Sequence, residues 1–165
     1  MSLLYYTYYQ SPVGLIKIGG TDYYISELSF VDNREQVTYG EPGISDIMHQ
    51  CTEELIEFFN GNRKTFDIPV YQDGTVFQQK VWGELLNIPF GKTISYLELA
   101  KRIGDVKAVR AAASTNAKNK ICILIPCHRV IGSDKSLVGY AGGLWRKKWL
   151  LQHEFKIEHG VQTLF

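Results

Sequence analysis

A cysteine, a histidine and an arginine stand side by side in the stretch ILIPCHRVIGS, which runs from Ile123 to Ser133. Cysteine is a nucleophile as its thiolate, and a nearby imidazole can take the thiol proton. An acidic side chain can then orient and polarise the imidazole. Cys127 and His128 supply the first two groups, and Glu154 is a candidate for the third. These residue types predict nucleophilic chemistry at Cys127.

The Cys-His dipeptide by itself leaves other interpretations open. Neighbouring side chains on a strand point to opposite faces. A turn or a bridging water must therefore allow the proton to pass from the thiol to the imidazole. A structural Cys–His pair, or a hydrolase acting on a small acyl substrate, would use the same residue types. A metal site would need two further ligands at suitable spacing. The chain has no Cys-x-x-Cys pair, so we expect no bound metal.

The residues just before the dipeptide predict the element that holds it. Residues 121–125 are apolar in succession, which favours a short strand buried on both faces. Pro126 ends this run. We therefore expect a rigid strand that presents Cys127 at the exposed floor of a pocket.

A helical region precedes that strand. Thr75 and Gln78 have the spacing of a capping box, and an apolar stripe follows them as far as Ile88. Ser95 and Glu98 repeat the capping-box spacing at the start of a second, shorter helix, YLELAKRI.

The short helix is followed by the outline of a helix-turn-helix. Gly104 ends that helix, and Asp105 can cap a third one over 106–118. In a helix-turn-helix the second of the two helices, here the one predicted over 106–118, approaches DNA. That helix carries Lys107, Arg110 and small side chains that would allow close approach to a surface, although a close-packed internal helix would have similar composition.

The first half of the chain has a different pattern. Tyrosine-rich and alternating segments predict an antiparallel meander, and apolar residues between 47 and 58 then recur with helical spacing. Charge divides the chain in the same way. Residues 1–74 hold four basic and eleven acidic side chains, whereas 75–165 hold fourteen basic and six acidic. We predict two domains, 1–72 and 73–165, the second facing a polyanion.

Composition excludes several classes of protein. No apolar run approaches the length of a membrane span, and the N-terminus lacks the basic and apolar regions of a signal peptide. Three cysteines are too few and odd in number for a disulfide framework. We therefore expect a protein of the reducing cytoplasm that does not bind membranes.

Three stretches of the second half resemble one family, the O6-alkylguanine-DNA alkyltransferases or methylated-DNA–protein-cysteine methyltransferases. The octapeptide IPCHRVIG is similar to the family's active-site motif. The flanking stretches FQQKVWGELLNIPFGKTISYLELAKRIG and GYAGGLWRKKWLLQHE agree with the family in order and spacing. The resemblance extends from about Thr75 to Glu154 and covers the first half only in outline. It implies an α+β fold: a ribonuclease-H-like β-meander plus helix, then a mostly helical winged helix-turn-helix domain.

The resemblance also implies a reaction. The protein would move the alkyl group of O6-methylguanine, and of O4-methylthymine, from double-stranded DNA to Cys127. No cofactor is implied, and the thioether product has no easy route back, so each molecule, expected to be a monomer, would act once. A non-catalytic DNA-binding relative would lack the acceptor cysteine, and a Cys–His hydrolase would turn over many times.

Finally, the resemblance implies residue roles. For catalysis, His128 would deprotonate Cys127 through a water, Glu154 would hold the imidazole, and Asn119 would brace the turn. Tyr96 would contact a DNA phosphate and the flipped guanine, and Arg110 would fill the gap that the guanine leaves. The other residues implied in the DNA and base contacts are Val109, Ala111, Ala113, Tyr140, Ala141 and Gly142. Some members carry a serine that can bond the guanine oxygen where this chain has Ala141, so backbone amides would have to make that bond here.

Overall fold

The computed structural model describes residues 3–32 and 40–160, and the chain forms two compact units, 1–72 and 73–165. Every site residue predicted from the sequence lies in the second, C-terminal unit. Within the described residues, none of the helices is both long and apolar enough to cross a membrane.

The N-terminal unit is a four-stranded sheet with one helix. The order of strands in the sheet is β3-β2-β1-β4, in which β1–β2 and β2–β3 are antiparallel and β4 is parallel to β1. The elements are β1 (Tyr5–Ser11), β2 (Gly14–Gly20), β3 (Ile25–Phe30), β4 (Glu41–Pro42) and α1 (Asp46–Phe59). The helix buries Met48, Cys51, Leu55 and Phe58. The predicted meander followed by a helix is confirmed.

The C-terminal unit is mostly helical. Its elements are α2 (Val76–Leu85), β5 (Ile94–Ser95), α3 (Tyr96–Arg102), α4 (Val109–Ala117), β6 (Val130–Ile131) and α5 (Leu144–His159). Strands β5 and β6 pair in parallel, with Ile94 opposite Val130. This pairing places the start of α3 beside the Cys127–Arg129 segment, which is a single turn of 3-10 helix. The α+β class predicted from the sequence is confirmed.

Local side-chain chemistry explains where the first helices begin. Thr75 Oγ1 accepts the Gln78 N–H at 3.1 Å while Gln78 Oε1 accepts the Thr75 N–H at 3.0 Å, which completes the predicted capping box. Ser95 Oγ accepts the Glu98 N–H at the start of α3. Asp105 caps a 3-10 turn rather than an α-helix, and α4 begins only at Val109. The predicted third helix therefore starts as a tighter turn.

The predicted strand over residues 121–125 is wrong, although its burial is right. The segment is a series of tight turns, in which the Leu124 N–H donates to Cys122 O and the Ile125 N–H donates to Ile121 O. Ile123 has a left-handed φ of 72°, which is unfavourable for a β-branched side chain. These hydrogen bonds close turns within the segment, which contributes a strand to neither of the two sheets that the structure describes.

The Asn119 side chain stabilises this series of turns. Its Nδ2 donates to Ile121 O at 3.3 Å and to Ile125 O at 2.9 Å, and its Oδ1 accepts the Ile121 N–H at 3.0 Å. The whole segment is buried, so these bonds satisfy backbone groups that water does not reach. These are the hydrogen bonds through which Asn119 would brace the turn.

We predict that Asn119→Ala lowers the free energy of unfolding by about 3 kcal/mol, because three buried hydrogen bonds are lost at roughly 1 kcal/mol each. Urea unfolding monitored by circular dichroism measures the change. Asn87→Ala is the control, since Asn87 is exposed and its Nδ2 donates to the nearby Glu84 carboxylate. A loss below about 1 kcal/mol for Asn119→Ala would show that the turns do not depend on this amide.

Candidate active site

Cys127 opens the 3-10 turn that follows Pro126. Its N–H donates to Ile125 O at 2.7 Å, and its carbonyl oxygen accepts Asn116 Nδ2 at 3.2 Å. The residue is only 4 % exposed, so the expectation of a cysteine open to solvent at a pocket floor is wrong. The backbone of Cys127 is thus held by hydrogen bonds at both its N–H and its carbonyl oxygen, in a nearly dry environment.

The surroundings of Cys127 favour its thiolate. A hydrogen bond with the Cys122 thiol lowers the pKa of Cys127, and burial opposes that effect. The Asn119 amide and the positive charge of Lys147 lower the pKa further. The pKa of Cys122 is raised well above its usual range, chiefly by the same contact with Cys127. Cys127 therefore ionises first, and Cys122 remains the thiol that donates a hydrogen bond to it.

His128 and Glu154 form a buried pair. His128 Nε2 lies 2.6 Å from Glu154 Oε2, and both side chains are almost completely buried. Burial lowers the pKa of His128 despite the opposing effect of Glu154, so the imidazole is neutral at rest. An N–H at Nε2 donating to the carboxylate leaves Nδ1 unprotonated. Among the described residues, Nδ1 has no hydrogen-bond partner. This tautomer is that of a base ready to take a proton.

Arg129 holds the same carboxylate. Its Nε and Nη2 donate to Glu154 Oε1 and Oε2 at 2.8 and 3.0 Å, while Nη1 donates to Ile88 O at 2.7 Å. Burial would raise the pKa of Glu154, but His128 and Arg129 outweigh it and lower that pKa to about 2. The guanidinium of the PCHR motif therefore fixes the acid that orients His128.

Lys147 on α5 brings a second cation into the interior. Its Nζ donates to Val130 O at 2.6 Å and to Val138 O at 2.9 Å, and it lies 5.8 Å from the centre of the Tyr96 ring. Burial lowers its pKa to about 8, an effect that the negative charge of Cys127 opposes. The ammonium thus connects the segment after the PCHR motif with the loop before α5, close to the thiolate.

The residues implied in the base pocket come from the start of α3 and from the loop before α5. The Tyr96 hydroxyl donates to Val138 O at 3.1 Å. Burial, together with the charges of Cys122 and Cys127, raises the pKa of the Tyr140 phenol well above its usual range. Ala141 and Gly142 form the turn that leads into α5, where Ala141 is exposed and Gly142 is buried.

The residues implied in DNA contact lie together on α4. Arg110 and Ala111 are exposed, while Val109 and Ala113 are half-buried. Gly104, with a φ of 89°, makes the turn that separates α3 from the segment leading to α4. The opposite side of α4 buries Ala112, Thr115 and Asn116. One helix thus has an exposed basic side and a side that contacts the cysteine turn.

Both units match models of one protein family. Residues 4–72 match the 6-O-methylguanine DNA methyltransferase ribonuclease-like domain, and residues 76–156 match the DNA-binding domain of the same family. The chain belongs to the 6-O-methylguanine DNA methyltransferase family. The family resemblance seen in the PCHR motif and its flanks is therefore confirmed. Membership of a methyltransferase family favours the interpretation of Cys127 as a nucleophile over that of a structural Cys–His pair.

Relatives match over nearly the whole chain. A methylated-DNA–protein-cysteine methyltransferase of Methanosarcina acetivorans is 37% identical over 92% of this chain and 98% of its own. A constitutive one of Bacillus subtilis is 41% identical over 84% of this chain and 87% of its own. The crystal structure of Mycobacterium tuberculosis OGT in complex with DNA has a TM-score of 0.85 and 36% identity, covering 93% of this chain and 94% of that one.

Sequence reasoning gave no role to three polar residues of this candidate site: Arg129, Lys147 and Asn116. Each is almost fully buried in the C-terminal unit and donates to a backbone carbonyl near Cys127 or to Glu154. A charged residue in a helix is ordinarily interpreted as part of an exposed surface. The available signal was the position of Lys147 four residues before Leu151, which is also buried.

We predict that Lys147→Met shifts the pH profile of Cys127 alkylation to higher pH. Removing the cation raises the pKa of Cys127, so less thiolate is present at neutral pH. The difference should be largest below pH 8, because the pKa of Lys147 is lowered to about 8 and the wild-type charge is lost above it. Rates with the free base O6-benzylguanine, followed by mass spectrometry across pH, measure the profile.

The matched control is Lys148→Met, which removes an exposed charge at the next position of α5. The midpoint of the pH profile of alkylation should be the same for Lys148→Met as for the wild-type protein. A Lys147→Met enzyme that is slower at every pH with an unchanged midpoint would show that the ammonium is needed only for packing.

Proposed function

We propose that this protein repairs O6-methylguanine in DNA by transferring the methyl group to Sγ of its own Cys127. The observation that carries the proposal is the buried hydrogen-bonded chain of His128, Glu154 and Arg129 beside that cysteine. This chain lies within the segment that matches the family's DNA-binding domain. The relatives are named methylated-DNA–protein-cysteine methyltransferases, which is the activity we assign to this chain.

The first chemical step is ionisation of the thiol. His128 Nδ1 takes the proton of Cys127 through a water molecule, and the Glu154 carboxylate stabilises the imidazolium that forms. Arg129 keeps Glu154 ionised and in place during this transfer. The Cys122 thiol and the Lys147 ammonium stabilise the thiolate.

The second step is an in-line displacement at the methyl carbon. A bond forms between Cys127 Sγ and that carbon while the bond from the carbon to guanine O6 breaks. The electron pair of the broken bond goes to the guanine, which takes up the proton that left the thiol. The products are guanine and S-methylcysteine. Because the thioether cannot return to a thiol, one molecule repairs one lesion, and the balance requires no cofactor.

The methyl carbon is out of reach inside a duplex, so the nucleotide must be flipped out at a cost of a few kcal/mol. We assign DNA contact to α4, with Arg110 filling the gap in the stack. Val109, Ala111 and Ala113 would face the DNA backbone, where small side chains allow close approach. Basic side chains of the C-terminal unit offset the cost of flipping through phosphate contacts.

We assign recognition of the flipped base to Tyr96 and to the loop of Tyr140, Ala141 and Gly142. This assignment rests on the proximity of the Tyr140 phenol to the thiols and on the bond of the Tyr96 hydroxyl to Val138 O. The catalytic groups we name all come from one chain, so we propose that the protein acts as a monomer.

We predict that Cys127→Ala abolishes methyl transfer but retains binding to DNA containing O6-methylguanine. The acceptor atom is lost, whereas α4 and the pocket loop are unchanged. Intact-protein and peptide mass spectrometry after mixing with the lesion duplex measure the transfer. The wild-type protein should gain one methyl group, on the peptide containing Cys127.

Cys51→Ala is the matched control, because Cys51 is buried in the core of the N-terminal unit, and it should react like the wild type. A methyl group on another cysteine, or more than one lesion repaired per molecule, would contradict this mechanism.

We also predict that Arg110→Ala slows repair of duplex DNA by at least about tenfold, because flipping then leaves an unfilled gap. Reaction with free O6-benzylguanine should keep the wild-type rate, since a free base needs no extrusion. The control is Lys118→Ala, which removes another exposed charge just after α4. Equal losses on the two substrates would remove Arg110 from this role.

A further inference from the structure

Asn116 is a buried amide at the contact between α4 and the cysteine turn. It is 2 % exposed and lies on the side of α4 away from the exposed Arg110. Its Nδ2 donates to Cys127 O at 3.2 Å. Because a carbonyl oxygen can only accept, this bond fixes the orientation of the amide, and Oδ1 is left as an acceptor.

That acceptor has no hydrogen-bond partner among the described residues. A buried carbonyl without a partner costs free energy, and such groups in native structures are rare and call for an explanation. If Asn116 served only to hold Cys127 O, a side chain with a donor alone would be enough. The unpartnered oxygen indicates a donor that arrives with a ligand.

The position of the amide indicates where that ligand is. Asn116 Nδ2 donates to Cys127 O, and the Asn116 amide opposes the rise that burial causes in the pKa of the Tyr96 phenol, so the amide is near both residues. Tyr96 is a residue that we assign to the flipped guanine, and Cys127 is the methyl acceptor. The unpartnered oxygen therefore belongs to a side chain that is bonded directly to the backbone of the proposed methyl acceptor.

The chemistry of the lesion identifies the donor. O6-methylguanine has lost the proton on N1, so N1 and N3 are acceptors and the 2-amino group supplies the N–H donors of the base. We propose that Asn116 Oδ1 accepts a hydrogen bond from the 2-amino group of the flipped O6-methylguanine. Asn116 is then a specificity-determining residue, and the inference rests on the function proposed above. O4-methylthymine has no such amine and gains nothing from this contact.

The test compares two duplexes that differ by one group: O6-methylguanine and O6-methylhypoxanthine, which lacks only the 2-amino group. Single-turnover rates of methyl transfer are measured by mass spectrometry. The wild-type protein should react about five- to tenfold more slowly with the hypoxanthine lesion, the effect of one neutral hydrogen bond. Asn116→Ala should slow reaction with O6-methylguanine and bring the ratio of the two rates close to one.

Two further variants separate recognition from packing. Thr115→Ala changes the neighbouring buried residue of α4 and should keep the wild-type ratio. Asn116→Asp keeps an acceptor oxygen, so it should retain a preference for O6-methylguanine even if its negative charge slows both reactions. If Asn116→Ala fails to fold, the inference is still tested by the ratio of the two rates for Asn116→Asp and for the wild-type protein.

Each result has a distinct meaning. Equal wild-type rates on the two lesions, an Asn116→Ala protein that keeps the wild-type ratio, or an Asn116→Asp protein with no preference would overturn the inference but leave the proposed function standing. A wild-type protein that takes no methyl group from either lesion would overturn both.

Discussion

One buried carboxylate organises the C-terminal unit. Glu154 on α5 accepts hydrogen bonds from His128, from Arg129 and, at 3.3 Å, from the N–H of Gly91. His128 and Arg129 are neighbours in the turn of the PCHR motif, whereas Gly91 lies in the segment after α2. Removing one member of a buried charged pair typically costs about 3–5 kcal/mol, because the other charge is left without compensation. The network therefore ties α5, the PCHR segment and the segment after α2 into one arrangement, and the reactive turn takes its position from it.

Local patterns predicted the fold where the cause is local. The capping box at Thr75 and Gln78 formed because both partners lie within one turn of the helix. The strand over 121–125 was wrong because apolar runs look alike in a buried strand and in a buried turn. What decides between them is Asn119, whose amide supplies the hydrogen bonds that a neighbouring strand would otherwise have supplied. The residue that decides between turn and strand is thus a polar one before the apolar run. An analysis of hydrophobic periodicity does not take such a residue into account.

The residue types of the candidate site were predictable from the sequence, but their arrangement was not. A thiol beside an imidazole indicates nucleophilic chemistry, but 26 residues separate His128 from Glu154, and only the resemblance to a family placed them together. Lys147 and Asn116 were missed for a physical reason. A lysine or an asparagine in a helix is usually solvated, and here each is buried because backbone carbonyls of neighbouring loops accept its N–H groups. The sequence does not show which backbone carbonyls the fold will place beside these side chains.

The charges around the cysteine explain how a nearly dry site can hold both a neutral base and a reactive thiolate. Lys147 and Arg129 both lower the pKa of His128, which would weaken it as a base, whereas Glu154 raises that pKa. The same Lys147 lowers the pKa of Cys127. In the proposed mechanism the proton moves from the Cys127 thiol to the His128 imidazole, which creates one negative and one positive charge and leaves the net charge of the buried site unchanged. Lys147 stabilises the negative charge of the thiolate, and Glu154 stabilises the positive charge of the imidazolium. The surroundings therefore do not need to reorganise as the thiolate forms.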